Sequence, residues 1–121
     1  MPIGARSLKR KVRVKESTFI RSVSHKMFIR QQRCILWGRP GHECKGPVQC
    51  CHYRMATGGG MGLKPSDEFT FPCCWGGHDL QHKIGEVEFQ ERFGLDLREV
   101  CKRFARRSTD PRVREAVNDA A

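Results

Sequence analysis

Three histidines carry the sharpest chemical signal in this chain. His78 and His82 stand four residues apart in "WGGHDLQHK", so a helix over residues 75–83 would point both imidazoles the same way, at the separation one metal ion accepts. His52 ends "VQCCH", a segment rich in strand formers, and a strand facing that helix would bring a third imidazole to the same ion. In a strongly basic protein this constellation points to phosphodiester hydrolysis. The ion would polarise the scissile phosphate and steady the departing oxygen, while the third imidazole deprotonates water. By itself a His-x-x-x-His pair is weak evidence, because it more often marks a surface face or a structural site.

The cysteines form a second pattern. Cys34 and Cys44 precede the segment that holds His52, and Cys73 and Cys74 precede the helix that holds His78 and His82. Zinc in small domains takes four tetrahedral Cys or His ligands, commonly two from each of two turns. Nine residues separate Cys34 from Cys44, wider than a tight knuckle, and position 77, where the second patch would offer another cysteine, is Gly. Scattered buried thiols are the plain alternative. The seven cysteines are an odd count, and with no secretory leader in view they argue against a secreted disulfide framework and for reduced, metal-binding thiolates.

Several elements must position these groups. Apolar residues at Phe19, Ile20, Val23, Met27 and Phe28 predict an amphipathic helix over 17–32, with His25 on its polar face. Glycines and prolines make 38–47 a loop of tight turns. Strands are predicted over 48–54 and 68–73, joined by the long loop "MATGGGMGLKPSD", with Pro72 placing the second near an edge or at its end. The glycine run is no nucleotide-binding P-loop, because Gly-Lys-Ser/Thr does not follow it. It lets the loop turn or follow a DNA backbone, and Asp67 is suited to anchor the loop exit through nearby backbone groups. Trp37 and Trp75 are expected to pack around the thiols, with base stacking the lesser alternative. Further on, Gly94 can end a helix marked by Val87, Phe89 and Phe93, and Asp96 can cap the next in a box with Glu99. Leu97, Val100, Cys101 and Phe104 line that helix, and Asp110-Pro111 opens a last, mostly polar one.

Length and charge bound the rest. The 121 residues suit one domain, and a chain only 38% apolar buries a modest core that a metal staple would support. The formal charge of +10 predicts attraction to polyanions. No apolar run approaches the roughly 20 residues of a spanning helix, so no membrane partner is expected. The start, "MPIGARSLKRKVRVK", could pass for a transit peptide. It reads better as a flexible basic arm over 1–17, whose Lys9, Arg10, Lys11 and Arg13 would lie along phosphates.

These pieces together resemble the HNH, or ββα-metal, endonucleases, and in particular small phage-associated HNH-like proteins of the RecA-dependent nuclease type. The likeness runs from Cys34 to about residue 97. It rests on Cys34, Cys44, Gly46, His52 and Arg54, on "GMGLKPSD" at 60–67, and on Pro72, Cys74, His78, His82, Gly85 and Phe89. The resemblance implies an α+β fold, a small zinc-stapled ββα-metal core with flanking helices. The nuclease domain would span 18–107 and a C-terminal helix or tail 108–121. It implies His52 as general base, His78 and His82 as ligands of a catalytic Mg²⁺ or Mn²⁺, and Cys34, Cys44 and Cys74 as three ligands of a structural Zn²⁺. Arg54 and Lys64 would contact DNA phosphates. The resemblance also implies a recombinase as a partner and a cytoplasmic or nucleoid-associated place in a bacterial host. Two positions depart from the family pattern: Cys51 stands where many members carry a metal-binding Asp or His, and Gly77 stands where the fourth zinc ligand is usual. Cys73 could supply that ligand, or His78 could turn to the zinc at the expense of the catalytic ion. The rival reading is a non-catalytic, zinc-stabilised DNA-binding or recombination-accessory protein.

Overall fold

A computed structural model of the chain describes residues 19–57 and 64–119. The arm residues Lys9, Arg10, Lys11 and Arg13, and the Gly-Met-Gly of the loop, lie outside the described residues. The architecture is α+β: five α-helices and a 3-10 turn (Arg54–Thr57) accompany one two-stranded antiparallel sheet among the described residues.

Strand β1 (Val48–His52) pairs with β2 (Thr70–Cys74) in a register that sets Val48 against Cys74 and His52 against Thr70. Alternation along β1 turns Cys51 into the core, fully buried, and leaves Cys50 and His52 on the other face. Pro72 sits in the middle of β2 rather than at its end. Its carbonyl points away from β1, accepting from the Ile35 N–H at 3.0 Å, so its ring nitrogen also faces outward and removes no ladder bond.

Helix α1 is shorter than the periodicity suggests, running Val23–Arg30. Ser22 caps it by accepting the His25 N–H, while Ile20 pairs with the loop exit, its N–H on Ser66 Oγ and its carbonyl receiving the Asp67 N–H. The buried face is also rotated from the expected one. Val23 and Met27 are exposed, whereas His25 is fully buried with Nδ1 on Ser108 Oγ at 2.7 Å and Nε2 on Thr70 Oγ1 at 3.1 Å. Two satisfied ring nitrogens make that imidazole an acceptable core residue.

Helix α2 (Trp75–Ile84) begins directly after β2. Its first N–H groups are taken by the loop before β1: Trp75 N donates to Pro47 O and Gly76 N to Lys45 O, both at 2.9 Å. Helix α3 (Glu86–Phe93) stops at Gly94, whose φ of 62° is the left-handed cap. Helix α4 (Leu97–Arg106) is capped by Asp96, which accepts the Glu99 N–H at 3.2 Å. The Glu99 carboxylate faces Lys102 at 3.5 Å. Phe71, Phe89, Leu97 and Cys101 form the main core. Helix α5 (Pro111–Asp119) is less polar in its packing than its composition suggests, because Val113 and Val117 close a second cluster with Ala105 and Ile20.

Candidate metal centres and catalytic cleft

Cys34, His42, Cys44 and Cys74 bring one ligand atom each into a group whose members all lie within 4.8 Å of one another. A tetrahedral zinc with bonds of about 2.3 Å spaces its sulfurs about 3.8 Å apart, so this donor set fits that ion. Backbone N–H groups point at two of the sulfurs: Cys34 Sγ accepts from Leu36 and Cys74, and Cys74 Sγ accepts the Gly77 N–H at the start of α2. The Cys44 thiol is pushed up to about 12 by burial and by the neighbouring thiols of Cys34 and Cys74. Such thiols ionise when a cation takes them.

The fourth member is His42, and neither Cys73 nor His78 takes that place. Cys73 and Cys74 are neighbours on a strand and face opposite ways, so the Cys73 sulfur is buried in the core, 4.0 Å from Cys34 Sγ. His42 is set by its loop: Arg39 ties the turn to α3 through the Phe93 carbonyl at 2.9 Å, and the Phe93 ring meets the His42 ring edge-on. Gly77 is explained by the same packing. A Cβ there would come within 2.4 Å of Cys73 Sγ, 3.0 Å of Leu36 Cδ1 and 3.5 Å of His42 Cε1. The Cys73 sulfur and Leu36 leave no room for a side chain at 77, while the His42 ring lies at ordinary contact distance.

The histidines singled out by spacing line one cleft of about 300 Å³, together with Cys50, Arg54 and Lys64. No Asp or Glu is among the described residues that line it. His78 and His82 rings face each other, Nε2 to Nε2, at 3.0 Å. Two imidazoles bound side by side to one ion, at about 2.1 Å each, stand about 3 Å apart. His78 Nδ1 meets Gln49 Oε1 at 2.6 Å; an amide oxygen only accepts, so Nδ1 carries the proton and the Nε2 lone pair points into the cleft. Burial and the imidazoles of His82 and His52 hold His78 below its ordinary value, against the pull of Asp79, which keeps the ring neutral and able to ligate.

His52 is bonded at Nε2 to Asp67 Oδ1 at 2.9 Å. Asp67 is fully buried and its other oxygen accepts the Ser22 N–H at 2.7 Å. Burial opposes its charge, but the hydrogen bonds from His52 and Ser22 outweigh that and keep the carboxyl below its usual range. The expected anchoring of the loop exit is therefore present, and it reaches a side chain as well as backbone. Around it, Arg21 holds the Pro65 and Lys64 carbonyls at 2.6 and 2.8 Å.

Cys51, inside the core, is no ligand to the cleft. His42 was not singled out by spacing; its signal is its place in a Gly/Pro loop two residues before Cys44. No disulfide joins the seven cysteines. No helix of the described residues is long and apolar enough to cross a membrane. No family model, curated protein or solved structure matches this chain.

Proposed function

We propose that this chain is a metal-dependent endonuclease of the HNH kind, hydrolysing phosphodiester bonds in DNA. The observation that carries the reading is the cleft itself, lined by His52, His78 and His82 together with Arg54 and Lys64, with no carboxylate among the described residues that line it. His78 and His82 would hold a divalent cation. Such a cation supplies Lewis acidity at the scissile phosphate. Imidazole donors suit Mn²⁺ better than Mg²⁺, which prefers carboxylate oxygen. His52 takes the proton of the attacking water, and Arg54 and Lys64 neutralise and place the phosphate. Zinc on Cys34, His42, Cys44 and Cys74 would fasten the 34–47 loop to the first turn of α2, and so fix His78 and His82 relative to β1. The excess of positive charge would bind DNA mainly through its backbone, steeply dependent on salt. The likeness to recombinase-dependent nucleases adds a recombinase as a proposed partner.

One observation favours the second reading, a zinc-stabilised protein that binds DNA without cutting it. With Cys51 turned inward, the position that would add a third ligand beside His78 and His82 does not reach the cleft. Incubating the purified chain with supercoiled plasmid in Mn²⁺, in Mg²⁺ and in chelator separates the two. Nicking that requires the cation supports the endonuclease, and DNA that is retarded but intact in every condition supports the binding protein.

A further inference from the structure

The bond between Asp67 and His52 determines more than the position of a loop. An ionised carboxylate can only accept, so the Nε2 atom that faces Oδ1 at 2.9 Å carries the ring proton, and in the neutral imidazole Nδ1 is left with the lone pair. The carboxylate has little freedom to do otherwise. It is fully buried, its Oδ2 is fixed by the Ser22 N–H at 2.7 Å, and the Arg21 guanidinium stands 3.6 Å from Oδ1. Its own backbone is clamped on both sides: Asp67 N donates to Ile20 O at 2.9 Å, and Thr70 Oγ1 donates to Asp67 O at 2.8 Å. Ser22, which holds Oδ2 through its N–H, is itself tied through its hydroxyl to Asp110 Oδ2 at 2.5 Å, ahead of α5. A buried charge costs stability unless it is fully bonded, and this one is bonded at both oxygens.

We propose that Asp67 is the positioning residue of the cleft, fixing His52 as the Nε2–H tautomer so that Nδ1 serves as the base. Its catalytic consequence rests on the endonuclease reading above; the tautomer does not. Asp67→Asn gives the sharpest contrast, because an amide has one oxygen for two donors. The Ser22 N–H belongs to the backbone and cannot leave, so the amide oxygen stays with it and the NH₂ turns to His52. Facing a donor, His52 must present its Nε2 lone pair and carry its proton on Nδ1, where it no longer accepts one from water.

The test uses the full zinc-loaded chain labelled with ¹⁵N on histidine. Two-bond ¹⁵N–¹H spectra above the titration range of the ring should show His52 as Nε2–H in the wild type and Nδ1–H in Asp67→Asn. Plasmid nicking should fall about 10²–10⁴-fold in Asp67→Asn, the range a general base supplies, with KM for DNA within about twofold. Val113→Ala, a core truncation remote from the cleft, should lower the melting temperature and leave nicking and tautomer unchanged. If Asp67→Asn does not fold, the wild-type spectrum alone decides the tautomer. Wild-type His52 protonated on Nδ1, or Asp67→Asn nicking at the wild-type rate, overturns the role of Asp67. A wild type that carries Nε2–H and nicks no DNA supports the tautomer assignment and defeats the endonuclease reading alone.

Discussion

Cys74 Sγ and His42 Nε2 face each other at 3.4 Å, one at the start of α2 and the other in the loop before β1. That contact closes a ring of four donors which no single turn of the chain could supply. It leads to the first prediction. Metal analysis of the purified chain should find about one zinc per chain. His42→Ala and Cys44→Ser should each weaken zinc by more than about 100-fold, more than the loss of a residue that merely supports a ligand. Cys73→Ala should keep the metal while lowering stability by about 1–3 kcal/mol through its core cavity.

Gly77 gives the second. Gly77→Ala places a methyl group 2.4 Å from the buried Cys73 sulfur and against Leu36 and the His42 ring. Overpacking of this kind costs about 1–3 kcal/mol. A urea titration should show that loss, and a competing chelator should extract zinc faster than from the wild type, because Cys73 and Leu36, which must give way, both touch the sulfur of Cys34.

What the sequence discloses and what it hides divide along physical lines. The hairpin, the helix over His78 and His82, the Gly94 stop and the Asp96 cap follow from local preferences, and each lies where spacing placed it within a few residues. Meeting in one cleft was also legible, since a hairpin followed at once by a helix leaves His52, His78 and His82 few other places to be. His42 was hidden because a ligand in an irregular loop has no period. His25 was hidden because its burial depends on Ser108 and Thr70, 83 and 45 residues away along the chain. The Asp67–His52 bond is likewise a long-loop contact, visible only once Ile20 and Arg21 have fastened the loop exit.

Acidity gives the third prediction. Burial holds the His25 imidazole below its ordinary value, against the attraction of Asp67 and Asp110. The unfolded chain accepts that proton near pH 6.5 and the folded chain resists it, so stability is complete above about 6.5 and declines as pH falls below it. Asp67 is held low by His52 and Ser22 against its burial, and Asp110 by its bonds from Arg112 and Ser22. Their contribution is present above about pH 4 and is lost as pH falls through the depressed folded values. The urea midpoint should therefore drop in two stages, and His25→Gln should be less stable at pH 7 yet show a smaller upper stage.

Charge gives the fourth. Arg54 and Lys64 border the cleft, where a phosphate would sit between them and the imidazoles. Lys64→Ala should weaken DNA binding about equally for all sequences and reduce the slope of log K against log salt by about 1. A loss confined to one sequence would mean that Lys64 reads bases.

The most direct measurement is the single-turnover cleavage rate of DNA at saturating protein and Mn²⁺, for the wild type and His52→Ala side by side. A base that accepts the proton of water is worth about 10²–10⁴-fold. The variant should fall by that factor while binding the same DNA with unchanged affinity. Equal rates in the two proteins, or no cleavage by the wild type, would contradict the account.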